Sequence, residues 1–161
     1  MKRLIVMRHA KSDWEAGASS DHDRPLNDRG RREAPSVGKG LVELHAIPEL
    51  VLSSDAARTR ETWDRIRGSF PNATVELEPS FYLAGLETVR DRFVQVSDAL
   101  ATVLVLGHNP GWEDMASELT GTRIELKTAY AAVLESRRGE TWADALGPSG
   151  FALKKIVKPV T

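Results

Sequence analysis

The chain of 161 residues has no cysteine, which excludes disulfides, thiolate metal sites and a cysteine nucleophile and fits a reducing compartment. It also lacks an excess of either charge. Twenty-two Lys and Arg against 23 Asp and Glu leave a net charge of −1, so no global field draws it to nucleic acid or an anionic membrane. Any basic site must be local. No apolar run approaches membrane-spanning length, and the four apolar residues after Met1, Lys2 and Arg3 are too few for a signal-peptide core. Internal repeats, low-complexity segments and linkers are absent as well. The expectation is one soluble, cytoplasmic domain over residues 1–161, large enough to bury a core without metal or disulfide support.

Two short apolar runs stand out. Leu4, Ile5, Val6 and Met7 end abruptly in Arg8 and His9, and Val103, Leu104, Val105 and Leu106 end in Gly107 and His108. Runs this short and this apolar read as strands buried on both faces, the mark of a parallel sheet. Residues 49–52 form a third strand of this kind, residues 74–77 a more peripheral one.

Between them lie helical patterns. Asn27 or Asp28 caps a helix with Ala34, Val37, Leu41 and Leu44 at helical spacing, in which Pro35 belongs in the first turn or at a kink. Ser53, Ser54 and Asp55 are expected to cap a helix running to about Gly68, with Arg58 in its first turn. Leu86, Val89, Phe93, Val96 and Leu100 mark one long helical stripe, and Trp112, Met115, Ala116 and Leu119 another. Residues 129–134, 141–143 and 151–157 read as strands, at least two forming a hairpin. The fold class is therefore α/β, with three layers: a mostly parallel central sheet flanked by helices, and antiparallel C-terminal strands at one edge. Residues 11–27 form a long loop, with 17–21 as its flexible middle, starting where the first strand ends.

If the strands at 4–7, 50–52 and 103–106 are parallel neighbours, Arg8, His9, Arg58 and His108 meet at one sheet edge. That edge is where open α/β sheets bind ligands. Arginines offer rigid, permanently charged forks that match phosphate oxygens, and a neutral histidine can attack phosphorus to give a covalent phosphohistidine. Arg8 and Arg58 would disfavour the imidazolium of His9, while His108, protonated or donating from one nitrogen, would steady charge on the phosphoryl oxygens.

The segments RHAKSDW at 8–14, DRPLNDRG at 23–30, LSSDAARTRET at 52–62 and VLGHNPG at 105–111 together resemble the histidine phosphatase superfamily, in particular its SixA-like phosphohistidine phosphatases. The resemblance implies a phosphoglycerate-mutase-like fold and an RHG-type motif, with Ala10 in place of the usual glycine. It implies His9 as the phosphorylated nucleophile, Arg8 and Arg58 as phosphate clamps and His108 as the second histidine of the pocket. Ser53 and Asn109 are further candidates for phosphate contact. The general acid is not assigned by any motif, and Glu78, Glu87 and Asp55 stand as weak candidates. A phosphoramidate leaves with less need of a dedicated acid, and only residues 80–85 are available between the third strand and the next helix for a lid. Both points favour a phosphohistidine-bearing protein as partner. A small phosphorylated metabolite and a non-catalytic phosphate-binding module remain as alternatives. A zinc hydrolase using His9, His108 and His22 is a third rival, without the closely spaced ligand pair such sites carry. No cofactor or metal, and no nucleic-acid or membrane partner, is expected.

Singly, these residues have plainer readings: His108 as a turn histidine, Arg58 paired with Glu61, Ser53 as a helix cap, and His22 and His45 on the surface. Asp23 with Arg24, and Asp28 with Arg29, read as structural pairs.

Overall fold

A computed structural model describes residues 1–139 and 141–160. Six strands, β1 (Arg3–Arg8), β2 (Leu50–Ser54), β3 (Thr74–Glu78), β4 (Thr102–Gly107), β5 (Ala131–Ser136) and β6 (Phe151–Val157), form one sheet in the order β3-β2-β4-β1-β5-β6. β1 to β4 run parallel, and β5 and β6 add an antiparallel edge. The central strands are buried on both faces, as their unbroken apolar runs require.

Alternation along β1 divides the core. Leu4 and Val6 face one apolar cluster with Phe81, Trp112 and Met115, while Ile5 and Met7 face another with Val37, Leu41 and Trp63. Helices α1 (Asp28–Glu43) and α2 (Ala57–Ile66) bury their apolar stripes in the second cluster, α3 (Leu86–Phe93) and α4 (Gly111–Thr120) in the first.

Four expectations are corrected. Pro35 lies in the middle of α1 and not in its first turn, and the helix continues through it because Ala34, Val37 and Leu41 are fully buried on either side. α2 begins at Ala57, because Ser53 and Ser54 complete β2 and Ser54 Oγ accepts from the Ala56 N–H at 3.2 Å. α3 ends at Phe93. Val96 and Leu100 still pack on the core, but the carbonyls of 98 and 100 accept from the Lys2 ammonium, and that of Leu100 also from the Trp142 indole at 3.2 Å. Tertiary partners thus replace helical ones. Residues 141–143 belong to a short helix, α5 (Trp142–Ala145), whose first turn is capped by Thr141 accepting from the Asp144 N–H at 3.1 Å.

Candidate active site

β1 and β4 are adjacent and parallel, with Arg8 opposite Gly107, so His9 and His108 leave the sheet side by side. Their ring centroids are 5.4 Å apart and both residues are buried. Gly107 is required here: a Cβ would come within 2.5 Å of the Trp112 ring that packs beneath the turn.

The hydrogen bonds fix each imidazole. His9 Nδ1–H donates to the Ala10 carbonyl at 2.7 Å, which leaves the Nε2 lone pair facing the Nε–H of Arg58 at 3.3 Å. Burial, reinforced by His108, Arg58 and Arg8, holds the His9 pKa well below its ordinary value, so the ring is neutral and nucleophilic at Nε2. His108 Nε2 lies 2.8 Å from Ser54 Oγ. That oxygen accepts from the Ala56 N–H, and among the described residues its own hydrogen has no acceptor other than Nε2, which places the His108 proton on Nδ1. Burial, then the positive field of Arg58, lowers the His108 pKa to about 3. Of the two forms expected of His108, protonated or donating from one nitrogen, the second fits: a neutral Nδ1–H donor.

That Nδ1 has no partner in the protein, and neither do the buried Nε atoms of Arg8 and Arg24. An unpaired buried donor costs about 1–3 kcal/mol. Each is a donor that an anion can satisfy.

Arg58 is almost wholly buried, and its pairing is with Asp21 rather than the anticipated Glu61. Nη1 donates to the Asp21 carbonyl at 2.7 Å and Nη2 to its Oδ2 at 3.1 Å. Glu61 instead accepts from the Leu26 N–H and from Arg31. Asp21 also accepts from the Tyr82 hydroxyl, and its Oδ1 from Arg24 Nη2 at 3.1 Å. These donors, Tyr82 first, pull its pKa down to about 2. Tyr82 sets its ring edge-on to His108 at 5.4 Å and to His22 at 4.9 Å. Arg8 Nη1 and Asn109 Nδ2 share the Leu126 carbonyl, at 3.2 and 2.7 Å.

The structure thus brings Arg8, His9, Arg58 and His108 together, with Asn109 beside Arg8. Ser53 does not join them: its fully buried hydroxyl donates to the Ser54 carbonyl, and Ser54 is the serine that meets His108. Glu78 is bound by Arg92 at 2.5 Å and Glu87 by Arg90 at 2.6 Å, so both carboxylates are engaged by arginines rather than by a histidine. Asp55 accepts from or binds His22 Nε2 at 2.9 Å, which also takes His22 out of the role of a free surface residue. The anticipated sequence-adjacent pairs are rearranged. Arg24 binds Asp21, Arg31 binds Asp28, and Arg29 binds Glu33. Among the described residues no three His, Asp or Glu side chains form a metal-binding group.

Asp21, Arg24, Ser54 and Tyr82 are the site residues that sequence reasoning missed. The long loop starting beside His9 was the available signal for Asp21 and Arg24. Strand alternation separates Ser54 from Ser53, but nothing local indicates which of the two faces His108.

The sequence model of the histidine phosphatase superfamily (branch 1) matches residues 4–82. An uncharacterized chloroplastic protein of Arabidopsis thaliana is 39% identical over 98% of this chain and 78% of its own length. An uncharacterized protein of Mycobacterium tuberculosis is 34% identical over 86% of this chain and 90% of its own. Among solved structures, a protein from Nakamurella multipartitia described as SixA superposes with a TM-score of 0.86 at 28% identity, covering 99% of this chain and 97% of that one. The protein histidine phosphatase SixA in complex with tungstate has the same fold, with a TM-score of 0.79 at 20% identity over 97% and 96% of the two chains.

Proposed function

The chain belongs to the histidine phosphatase superfamily, among its SixA-like phosphatases, and from that premise we propose that it removes phosphoryl groups from protein phosphohistidine through a covalent intermediate on His9. The observation that carries the reading is the tautomer of His9: Nδ1–H fixed on Ala10 and the Nε2 lone pair turned toward Arg58, with the unpaired Nδ1–H of His108 on the neighbouring ring. In the first displacement Nε2 bonds to phosphorus as the substrate P–N bond breaks, and the leaving nitrogen takes its proton from water. In the second, water takes the phosphoryl group and His9 returns to neutrality. Arg8, Arg58 and His108 Nδ1–H hold the charged oxygens in both steps, and fixed donors of this kind are the main source of rate in phosphoryl transfer.

The substrate class follows from the acid. Asp21 reaches Arg58 and Arg24, but it is ionised at neutral pH and tied to three donors, so it has no proton to give an alkoxide, and Glu113, whose charge acts on Arg8, is engaged by the Leu126 N–H and by Arg123, each at 2.9 Å. A phosphoramidate nitrogen acquires its proton more easily, which favours phosphohistidine over a phosphomonoester. The names carried by the SixA neighbours point the same way.

The test is turnover of a phosphohistidine protein, phosphoramidate and p-nitrophenyl phosphate by the wild type and by His9→Ala, with acid-labile labelling of the enzyme. His9→Ala is expected to lose both turnover and label, and retention of either rejects the mechanism. Faster hydrolysis of p-nitrophenyl phosphate than of phosphohistidine would reject only the substrate. Turnover unaffected by chelators separates this chemistry from that of a zinc hydrolase.

A further inference from the structure

Beside the phosphate site lies an open groove of about 590 Å³ lined by Arg8, Lys11, Arg29, Lys127 and Lys158. These cations come from the end of β1, the loop after it, the first turn of α1, the turn before β5 and the segment after β6. Glu33 is the one carboxylate among the described lining residues, and it is engaged by Arg29 Nε at 2.9 Å. A chain with a net charge of −1 has no general surplus of positive charge to place there, so the clustering is local.

The groove is fastened to the catalytic strand. The Ala129 N–H donates to the His9 carbonyl at 2.9 Å, the Arg8 N–H to the Tyr130 carbonyl at 3.1 Å, and the Tyr130 N–H to the Lys127 carbonyl at 3.0 Å. Ala129 takes φ of +67°, a conformation unfavourable for a residue with a Cβ, and these bonds hold it there. On the other wall the Lys11 carbonyl accepts from the Asn27 N–H at 3.0 Å, and the Lys158 ammonium stands 5.7 Å from the Tyr130 ring. Lys127 and Lys158 are exposed.

We propose that this groove binds acidic side chains of the substrate protein next to its phosphohistidine. The proposal rests on the phosphatase reading above. Flexible, hydrated lysine ammoniums suit several carboxylates on a mobile segment, whereas the rigid arginine forks and the buried histidine are kept for the phosphoryl group itself. Because Arg8 borders both, a substrate seated on His9 runs directly into the groove.

The experiment compares phosphohistidine peptides with glutamate-rich and with neutral flanks, and phosphoramidate, on the wild type and on Lys127→Glu/Lys158→Glu. Lys127→Gln/Lys158→Gln serves as a milder pair in case charge reversal disturbs folding. The variants are expected to raise KM about tenfold for the acidic peptide, with kcat, the neutral peptide and phosphoramidate unchanged. Added salt should erase the wild type's preference. Equal handling of the two peptides by the wild type, or equal losses on all three substrates, would overturn the proposal. Fluorescence anisotropy with the unphosphorylated acidic peptide tests the groove without catalysis. Binding lost in the variants supports it even if no phosphohistidine is hydrolysed, an outcome that rejects the phosphatase reading alone. Wild-type binding no tighter than that of the neutral peptide rejects the groove.

Discussion

Asp21 and Arg58 are joined twice, by the backbone carbonyl at 2.7 Å and the carboxylate at 3.1 Å, so a loop residue holds the buried guanidinium whose Nε faces His9 Nε2. An arginine side chain has many rotamers. The second anchor removes most of them and sets the direction of the remaining N–H groups.

Asp21→Asn should therefore lower kcat more than it raises KM. It keeps the backbone contact and removes the charge from the carboxylate's bonds to Arg58 and Arg24, which is worth enough for a loss of about tenfold. Asp21→Ala should lose more. Steady-state kinetics with p-nitrophenyl phosphate and competitive inhibition by phosphate check this, and an unchanged kcat in both variants would deny Asp21 its positioning role.

Ser54→Ala should impair the site from behind. It leaves His108 Nε2 and the Ala56 N–H without their shared partner, which costs about 1–3 kcal/mol for a buried group. Urea unfolding should show that loss, and turnover should fall because His108 can then adopt the other tautomer. His108→Ala removes the donor itself and should reduce kcat by about 100-fold or more.

Acid should destabilise the fold well before carboxylates titrate. Both histidines have folded pKa values below the unfolded value of 6.5. As pH falls through 6.5 the unfolded chain binds protons that the folded chain refuses, so stability present above that value is lost, for His108 down to about pH 3. Each such histidine contributes a slope of about 1.4 kcal/mol per pH unit. Asp21 adds a loss in the same direction between 3.8 and about 2. Urea midpoints measured from pH 7.5 to 4 should fall steadily, and the fall should be shallower in His108→Asn. Equal slopes would show that His108 is not held neutral.

Gly30→Ala should loosen the loop that carries Asp21. A Cβ there would meet the Lys11 carbonyl oxygen at 2.2 Å, a backbone atom that cannot turn aside. The expected loss is about 1–3 kcal/mol, seen as a lower melting temperature, with weaker phosphate inhibition as the loop shifts.

The sequence by itself determined the parallel frame. Leu4 to Met7 and Val103 to Leu106 have no polar face to offer water, so they must lie inside a sheet covered on both sides, and that placement alone sends His9 and His108 to the same edge. The spacing of Arg58 after β2 brought it there too, since a helix returning over the sheet starts at that edge. Helix ends at 93 and 141 were not legible, because Lys2, Trp142 and Thr141 decide them through bonds that local pattern does not contain. Only the tertiary structure decided that Asp21 rather than Glu61 holds Arg58, that Ser54 rather than Ser53 meets His108, and that burial makes both histidines neutral. The physical reason is the same in each case. Burial of polar groups forces every donor to find an acceptor somewhere in the folded chain, and which one it finds depends on packing across tens of residues, not on its neighbours in sequence.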